Sequence, residues 1–151
     1  MPGQFLSTLG LDFRMKVLRL GDNCLAKLQF WDTNSQERFH RINTSYFKGA
    51  NFVFLIFDLS NRKTFDYLPQ CMEFANYLKP ECSHLQYVLI GNKNDKKERQ
   101  VTREEAEQFA LNDLDGAMYV ESNNLTLTGP TILAWYMVMS RMVQHGVKSN
   151  D

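Results

Sequence analysis

Asp32 and Gln36 lie in Trp31-Asp32-Thr33-Asn34-Ser35-Gln36-Glu37-Arg38-Phe39, just beyond an apolar, strand-like run. A carboxylate at a strand end can hold a metal ion, directly or through water. A glutamine in the following loop can orient an attacking water, and together they form a layout suited to phosphate chemistry. The same nine residues also read as a polar turn after an edge strand. A second stretch, Asn92-Lys93-Asn94-Asp95, follows the apolar run Leu85 to Ile90 and Gly91. An aspartate there can accept two hydrogen bonds, from the N1–H and the exocyclic amine of guanine. Adenine cannot supply that pair, so Asp95 would confer base selectivity. Asn92 can contact the base edge or tie loops together, and the Lys93 stem can lie flat against the ring. The alternative is an ordinary polar strand-to-helix loop. Thr8, in Thr8-Leu9-Gly10, can offer its hydroxyl to Mg²⁺ and its amide to a terminal phosphate, or can serve as a strand-entry turn.

These residues need elements to hold them. Leu11 to Leu20 alternate in part, with Leu11, Phe13, Met15 and Val17 on one face, which predicts a strand. Gly21-Asp22-Asn23 suits a hairpin turn and Leu25 to Trp31 the return strand, so the pair is expected to be antiparallel. Asn51 to Leu59 and Leu85 to Ile90 are near-continuous apolar runs, as in strands buried on both faces of a parallel sheet. Ala117 to Val120 is a third, shorter candidate. A helix is expected over Thr64 to Leu78, with Pro69 in its first regular turn or at a kink. Thr102-Arg103-Glu104-Glu105 forms a capping box that opens a helix to about Leu111. Gly129-Pro130 would start a last helix with an apolar face at Ile132, Trp135, Tyr136, Met139, Met142 and Val143. The order hairpin, strand, helix, strand, helix, strand, helix implies an α/β fold with a largely parallel sheet. In such sheets ligands bind beyond the carboxyl ends of the strands. No repeat or linker divides residues 1–151, so one domain is expected.

Composition narrows the partners. Lys+Arg and Asp+Glu balance at 17 each, so charge gives no reason to expect nucleic acid or an anionic membrane surface. Apolar residues make up 44% and charged residues 23%, ordinary for a globular chain. Cys24, Cys71 and Cys82 fit neither a disulfide framework nor a zinc site, and point to a reducing, cytoplasmic compartment. No apolar run approaches the roughly 18 residues of a membrane span. Neither a signal peptide nor a myristoylation glycine stands at the start, and no cysteine for prenylation at the end.

Five stretches together resemble a Rab-type small GTPase of the Ras superfamily. They are Thr8-Leu9-Gly10-Leu11-Asp12-Phe13; Lys27-Leu28-Gln29-Phe30-Trp31-Asp32-Thr33 with Gln36-Glu37-Arg38-Phe39; Tyr46-Phe47-Lys48-Gly49-Ala50; Leu55-Ile56-Phe57-Asp58-Leu59; and Gly91-Asn92-Lys93-Asn94-Asp95. Their order and spacing match over nearly the whole chain. The resemblance implies a P-loop NTPase-like three-layer α/β sandwich, its sheet mostly parallel with one antiparallel hairpin. It implies a guanine-nucleotide-dependent switch in vesicle trafficking that binds GTP or GDP with Mg²⁺ and hydrolyses GTP. Thr8 would belong to the first switch, touching Mg²⁺ and the terminal phosphate. Asp32 to Tyr46 would form the second switch, with Asp32 toward Mg²⁺, Ser35 toward the terminal phosphate and Gln36 positioning water. Asn92, Lys93 and Asp95, with Asn123 and Asn124, would form the guanine site. Phe13, Trp31 and Tyr46 would present a surface to protein effectors and regulators.

The chain also departs from the family pattern. No G-x-x-x-x-G-K-[ST] loop occurs, so the first strand, phosphate loop and first helix are not among these residues and the domain is expected to be incomplete at its N-terminus. Asp-Thr-Ala-Gly-Gln is here Asp32-Thr33-Asn34-Ser35-Gln36, and the Ser35 side chain restricts a turn that glycine would make freely. Glu-Thr-Ser-Ala-Lys is here Glu121-Ser122-Asn123-Asn124-Leu125, without the lysine. The usual C-terminal prenylation cysteines are missing, although family members cycle onto membranes. The missing strand would leave two inner strand edges unpaired. It would forfeit a handful of aliphatic contacts at roughly 1.5–3 kcal/mol each, against a typical total stability of about 5–15 kcal/mol. Unless the two strands close up and pair directly, the isolated chain is therefore expected to be marginal or prone to aggregate. Two other readings remain: a pseudo-GTPase interaction module that keeps the effector face without holding phosphate, and an inert fragment.

Overall fold

A computed structural model describes residues 12–19, 25–32, 50–78 and 85–123. The chain divides into two compact units, Met1–Lys48 and Gly49–Asp151. In the first unit, β1 (Asp12–Arg19) and β2 (Leu25–Asp32) pair antiparallel, with Phe13 opposite Trp31, Met15 opposite Gln29 and Val17 opposite Lys27. This is the hairpin that the alternation predicts. Its turn, 20–24, lies outside the described residues, as does the C-terminal stretch 129–143 read as a helix.

The second unit is α/β. β3 (Phe52–Asp58), β4 (Gln86–Asn92) and β5 (Met118–Glu121) form a parallel sheet in the order β3-β4-β5. The connections supply α1 (Arg62–Asp66), α2 (Leu68–Leu78) and α3 (Arg103–Asn112). Among the described residues, no helix is long and apolar enough to cross a membrane.

One face of this sheet carries the main core. Leu55, Phe57, Tyr87 and Leu89 pack there with Phe65, Leu68, Ala75, Ala106 and Ala110. The Phe57 and Phe65 rings meet edge to face at 4.9 Å, and Phe65 meets Phe109 in the same way at 5.3 Å. Such pairs add to the area that they bury. The other face holds a smaller cluster, Val88 and Ile90 with Phe52, Phe54, Met118 and Val120 around them. β4 is central in this sheet, and its five middle residues are all buried, as its apolar run predicts. β3 differs from expectation. Leu55 and Phe57 are buried, but Ile56 between them is 58% exposed, so only one face of β3 is deeply covered. A continuous apolar run reports the two faces of a strand without saying what covers each.

The single helix expected over Thr64 to Leu78 is two. α1 starts earlier, capped by Asn61, whose side chain accepts from the Lys63 amide. The chain breaks at Tyr67, and α2 begins with Pro69 in its first turn. Proline has no amide hydrogen to donate to the carbonyl of residue 65, so the hydrogen-bond ladder of α1 is interrupted there. α3 begins at the predicted cap: Thr102 Oγ1 accepts from the Glu105 amide at 3.1 Å. The Glu105 carboxylate pairs instead with Arg62 Nη1 at 2.6 Å, joining α3 to α1.

Candidate functional site

The three parallel strands end together. Asp58 at the end of β3 is in register with Asn92 at the end of β4, and Gly91 with Glu121 at the end of β5. Asn92-Lys93-Asn94-Asp95 leaves the sheet at this edge. The backbone ties it down on both sides: the Leu59 amide donates to Asn92 O at 3.0 Å, the Ser122 amide to Gly91 O at 2.8 Å, and the Asn94 amide to Ser122 O at 3.2 Å. These bonds tie the loop to the start of the segment after β5.

Side chains fix the turn itself. Asn92 Oδ1 accepts from the Lys93 amide at 2.8 Å and from the Ser122 hydroxyl at 3.4 Å. Lys93 adopts φ +63, a left-handed conformation that costs energy for a residue with a Cβ. Three contacts hold it there. One is the bond from its own amide to Asn92. Another is the Lys96 amide donating to Lys93 O at 3.1 Å. The last is the Lys93 ammonium on Asp58 Oδ2 at 2.6 Å. Gly91 is required by close approach: a Cβ there would stand 2.8 Å from Tyr119 Oη and 2.9 Å from Leu59 Cδ2.

Asp58 is the electrostatic centre of this edge. Besides Lys93 it receives the Ser60 amide at 2.9 Å and the Ser60 hydroxyl at 2.6 Å. Burial pushes its carboxyl up, but the bonds from Lys93 and Ser60 outweigh burial and hold it at about 2. A second group braces β5. Arg99 grips Glu121 with two nitrogens at 2.7 and 3.1 Å, and its Nε donates to Val101 O at 2.6 Å. The Tyr119 hydroxyl donates to Glu121 Oε1 at 2.9 Å. Burial raises the Glu121 carboxyl, and the Arg99 and Tyr119 bonds bring it below its ordinary value. Burial and the bond to Glu121 raise the Tyr119 phenol well above its own.

Asp95 is exposed, and its carboxylate has no hydrogen bond or ion pair among the described residues. An exposed acceptor held two residues beyond a rigid turn can receive a donor pair from a planar base. Asn123 is partly buried and directly follows Ser122. Asp32 ends β2, exposed to solvent, and Trp31 beside it is 40% exposed. Thr8, Ser35, Gln36, Tyr46 and Asn124 lie outside the described residues, and of Phe13 the backbone alone is described. Among the described residues, no three His, Cys, Asp or Glu side chains gather as metal ligands. A cavity of about 260 Å³ opens at the opposite, amino-terminal end of the strands, lined by Phe52, Gln86, Leu114 and Met118 among others. It has no part in the strand-end loop.

Sequence reasoning gave no role to Asp58, Ser60, Ser122 or the Arg99–Glu121–Tyr119 brace. For Asp58 a signal was present, since an aspartate two residues before a serine at a strand end is a turn signature.

A family model described as Ras family matches residues 2–132. Ras-related protein Rab-8B of Pongo abelii is 32% identical over 148 residues, which is 97% of this chain and 69% of that protein. Ras-related protein Rab-39A of Homo sapiens is 38% identical over 146 residues, 95% of this chain and 64% of that protein. Ras-related protein Rab-12 of Homo sapiens is 36% identical over 118 residues, 78% and 47% respectively. The chain thus spans between 47% and 69% of the length of these relatives.

Proposed function

The chain belongs to the Ras family and is Rab-like, and on that premise we propose that it is a guanine-nucleotide-linked switch serving vesicle trafficking. The observation that supports this best is the strand-end loop. Asn92 and Lys93 are locked against Ser122 and Asp58, and Asp95 is left exposed beyond them. In this reading Asp95 accepts from N1–H and the exocyclic amine of guanine. Lys93 shapes the floor on which the ring rests, and Asn92 holds the loop to the segment of Asn123 and Asn124. The pair of acceptor oxygens suits guanine and leaves adenine with a mismatched edge. Phe13, Trp31 and Tyr46 face protein effectors and regulators.

The phosphate end is assigned to Thr8, Asp32, Ser35 and Gln36. Bound Mg²⁺ would supply charge neutralisation at the phosphates, with Thr8 and Asp32 as its protein partners. Gln36 would orient water. Ser35 in place of glycine stiffens the turn beside it, so turnover is slow.

A second reading has its own support. Leu125 stands where the family has lysine, and Ser35 where it has glycine. Both favour an interaction module that reads little or no nucleotide and turns none over. Titrating the purified chain with GDP and ADP separates the two readings. The switch reading expects GDP to bind at least tenfold more tightly than ADP, and equal or absent binding supports the interaction module.

A further inference from the structure

β3 stands at one edge of its sheet. The strand order is β3-β4-β5, and among the described residues no strand pairs with the other side of β3. Backbone groups alternate along a strand, so the bonds to β4 reveal which residues turn outward. Asn51 O accepts from the Gln86 amide, and the Leu59 amide donates to Asn92 O. Odd-numbered residues of β3 therefore address β4, and Phe52, Phe54, Ile56 and Asp58 direct their N–H and C=O to the outer edge. The edge closes on itself at Asp58. Its amide donates to Thr64 Oγ1 at 2.9 Å, and its carbonyl accepts from the Asn61 amide at 2.9 Å. The outward stretch thus runs through Phe52, Phe54 and Ile56. It lacks the usual guards of a natural edge, since Phe52 to Phe57 contain no charge, proline or glycine. Ile56 stands on this edge with its side chain largely solvated.

We propose that the outer edge of β3 is an interface between two copies of this chain, which pair β3 with β3 antiparallel about a two-fold axis at Phe54. The two three-stranded sheets then join as one of six strands. Phe52 of each copy lies opposite Ile56 of the other, and Val53 opposite Leu55. An antiparallel pair exchanges both of its hydrogen bonds only where the two facing residues both turn toward the partner. This register meets that condition, because even-numbered residues face even-numbered ones. Two features select a second copy over another strand. The outward stretch is bounded by the engaged backbone of Asp58, and a copy of β3 ends at the same residue, so the lengths match. Ile56 also gains an aromatic neighbour: Phe52 packs on the same sheet face, and a two-fold axis normal to the sheet keeps that face on one side in both copies. The uncharged edge offers no repulsion to its own image. The interface is isologous, so it uses up both β3 edges and closes at two copies. The strands run in opposite directions across the axis, which leaves the two strand-end loops pointing apart. The inference therefore stands or falls separately from the nucleotide reading.

The test uses the full 151-residue chain. Sedimentation velocity should show a monomer that passes to a dimer as concentration rises. Hydrogen exchange resolved by residue should then protect alternate amides. Those of Phe52, Phe54 and Ile56 should exchange at least tenfold more slowly in the dimer than in the dilute monomer. Those of Val53, Leu55 and Phe57, already bonded to β4, should not change. Ile56→Lys, at an exposed position, should weaken the dimer at least tenfold. It should leave the exchange of Val53, Leu55 and Phe57 as it was, which also shows that the sheet has formed. A chain that stays monomeric overturns the proposal, as does association that continues beyond the dimer. A dimer in which Phe52, Phe54 and Ile56 exchange as in the monomer overturns it too, since the copies then meet elsewhere. So does slow exchange of these amides in the monomer, which would place a segment of the same chain along β3.

Discussion

Asp58 and Lys93 show how single residues set this site. Lys93 carries a backbone conformation that a side chain resists, and it is held there by the carboxylate at the end of the neighbouring strand. Because Asp58 is depressed to about 2 in the folded chain, its ion pair contributes fully above the ordinary carboxylate value and is lost as pH falls through about 2. The unfolded chain binds the proton first as acidity rises, so stability falls between about pH 4 and pH 2. Asp58→Asn should flatten that part of the acid-unfolding profile, measured by circular dichroism. An unchanged slope would mean that Asp58 is not held by Lys93 and Ser60. The strand-end loop Asn92 to Asp95 was legible from its place after a buried strand. The partner of Lys93 was not, because the sequence separates the two by a whole β-α-β crossover, and only the parallel register brings residue 58 beside residue 92.

Among the elements, β4 and β5 place the loop, and their closeness depends on one missing side chain. Gly91 sits where Tyr119 and Leu59 both approach within van der Waals distance of an absent Cβ. Gly91→Ala should therefore destabilise by about 1–3 kcal/mol, the usual cost of overpacking, read as a lower urea midpoint with an unchanged slope. A neutral result would show that Tyr119 and Leu59 move aside freely. The strands and the caps of the α/β unit could be read from local pattern, because an apolar run and a Thr-x-x-Glu box act within a few residues. The helix break could be read only as one of two options. Pro69 fits either a first turn or a kink, and the packing of Phe65 and Leu68 into the same core goes with a fresh start at residue 68. Ile56 was expected inside, and the strand pattern alone could not tell a deeply covered face from a thinly covered one.

Over the whole molecule, the 151 residues carry the loop proposed to read the base but no G-x-x-x-x-G-K-[ST] sequence. In the proposed site, the described residues would read the base more than the phosphates. Guanosine, GDP and GTP should bind this chain within about tenfold of one another, since the amide cradle that normally discriminates them is not among these residues. Isothermal titration checks this, and a GTP preference of a hundredfold or more would show that Thr8, Asp32, Ser35 and Gln36 hold the phosphates strongly without that cradle. The family was legible in the sequence because five motif stretches keep their order, a property that survives divergence better than any single residue. The electrostatics at the strand ends were not, because they arise from register. Base selectivity at Asp95 tests the central claim most directly. Asp95→Asn keeps the size of the side chain and turns one acceptor into a donor. It should lose guanine, whose amine then meets an amide, and gain xanthine, whose carbonyl accepts from that amide. Competition of GDP against xanthosine diphosphate on the wild-type and substituted chains reads this out. The account predicts that the preference reverses; a preference for guanine unchanged by the substitution would contradict it.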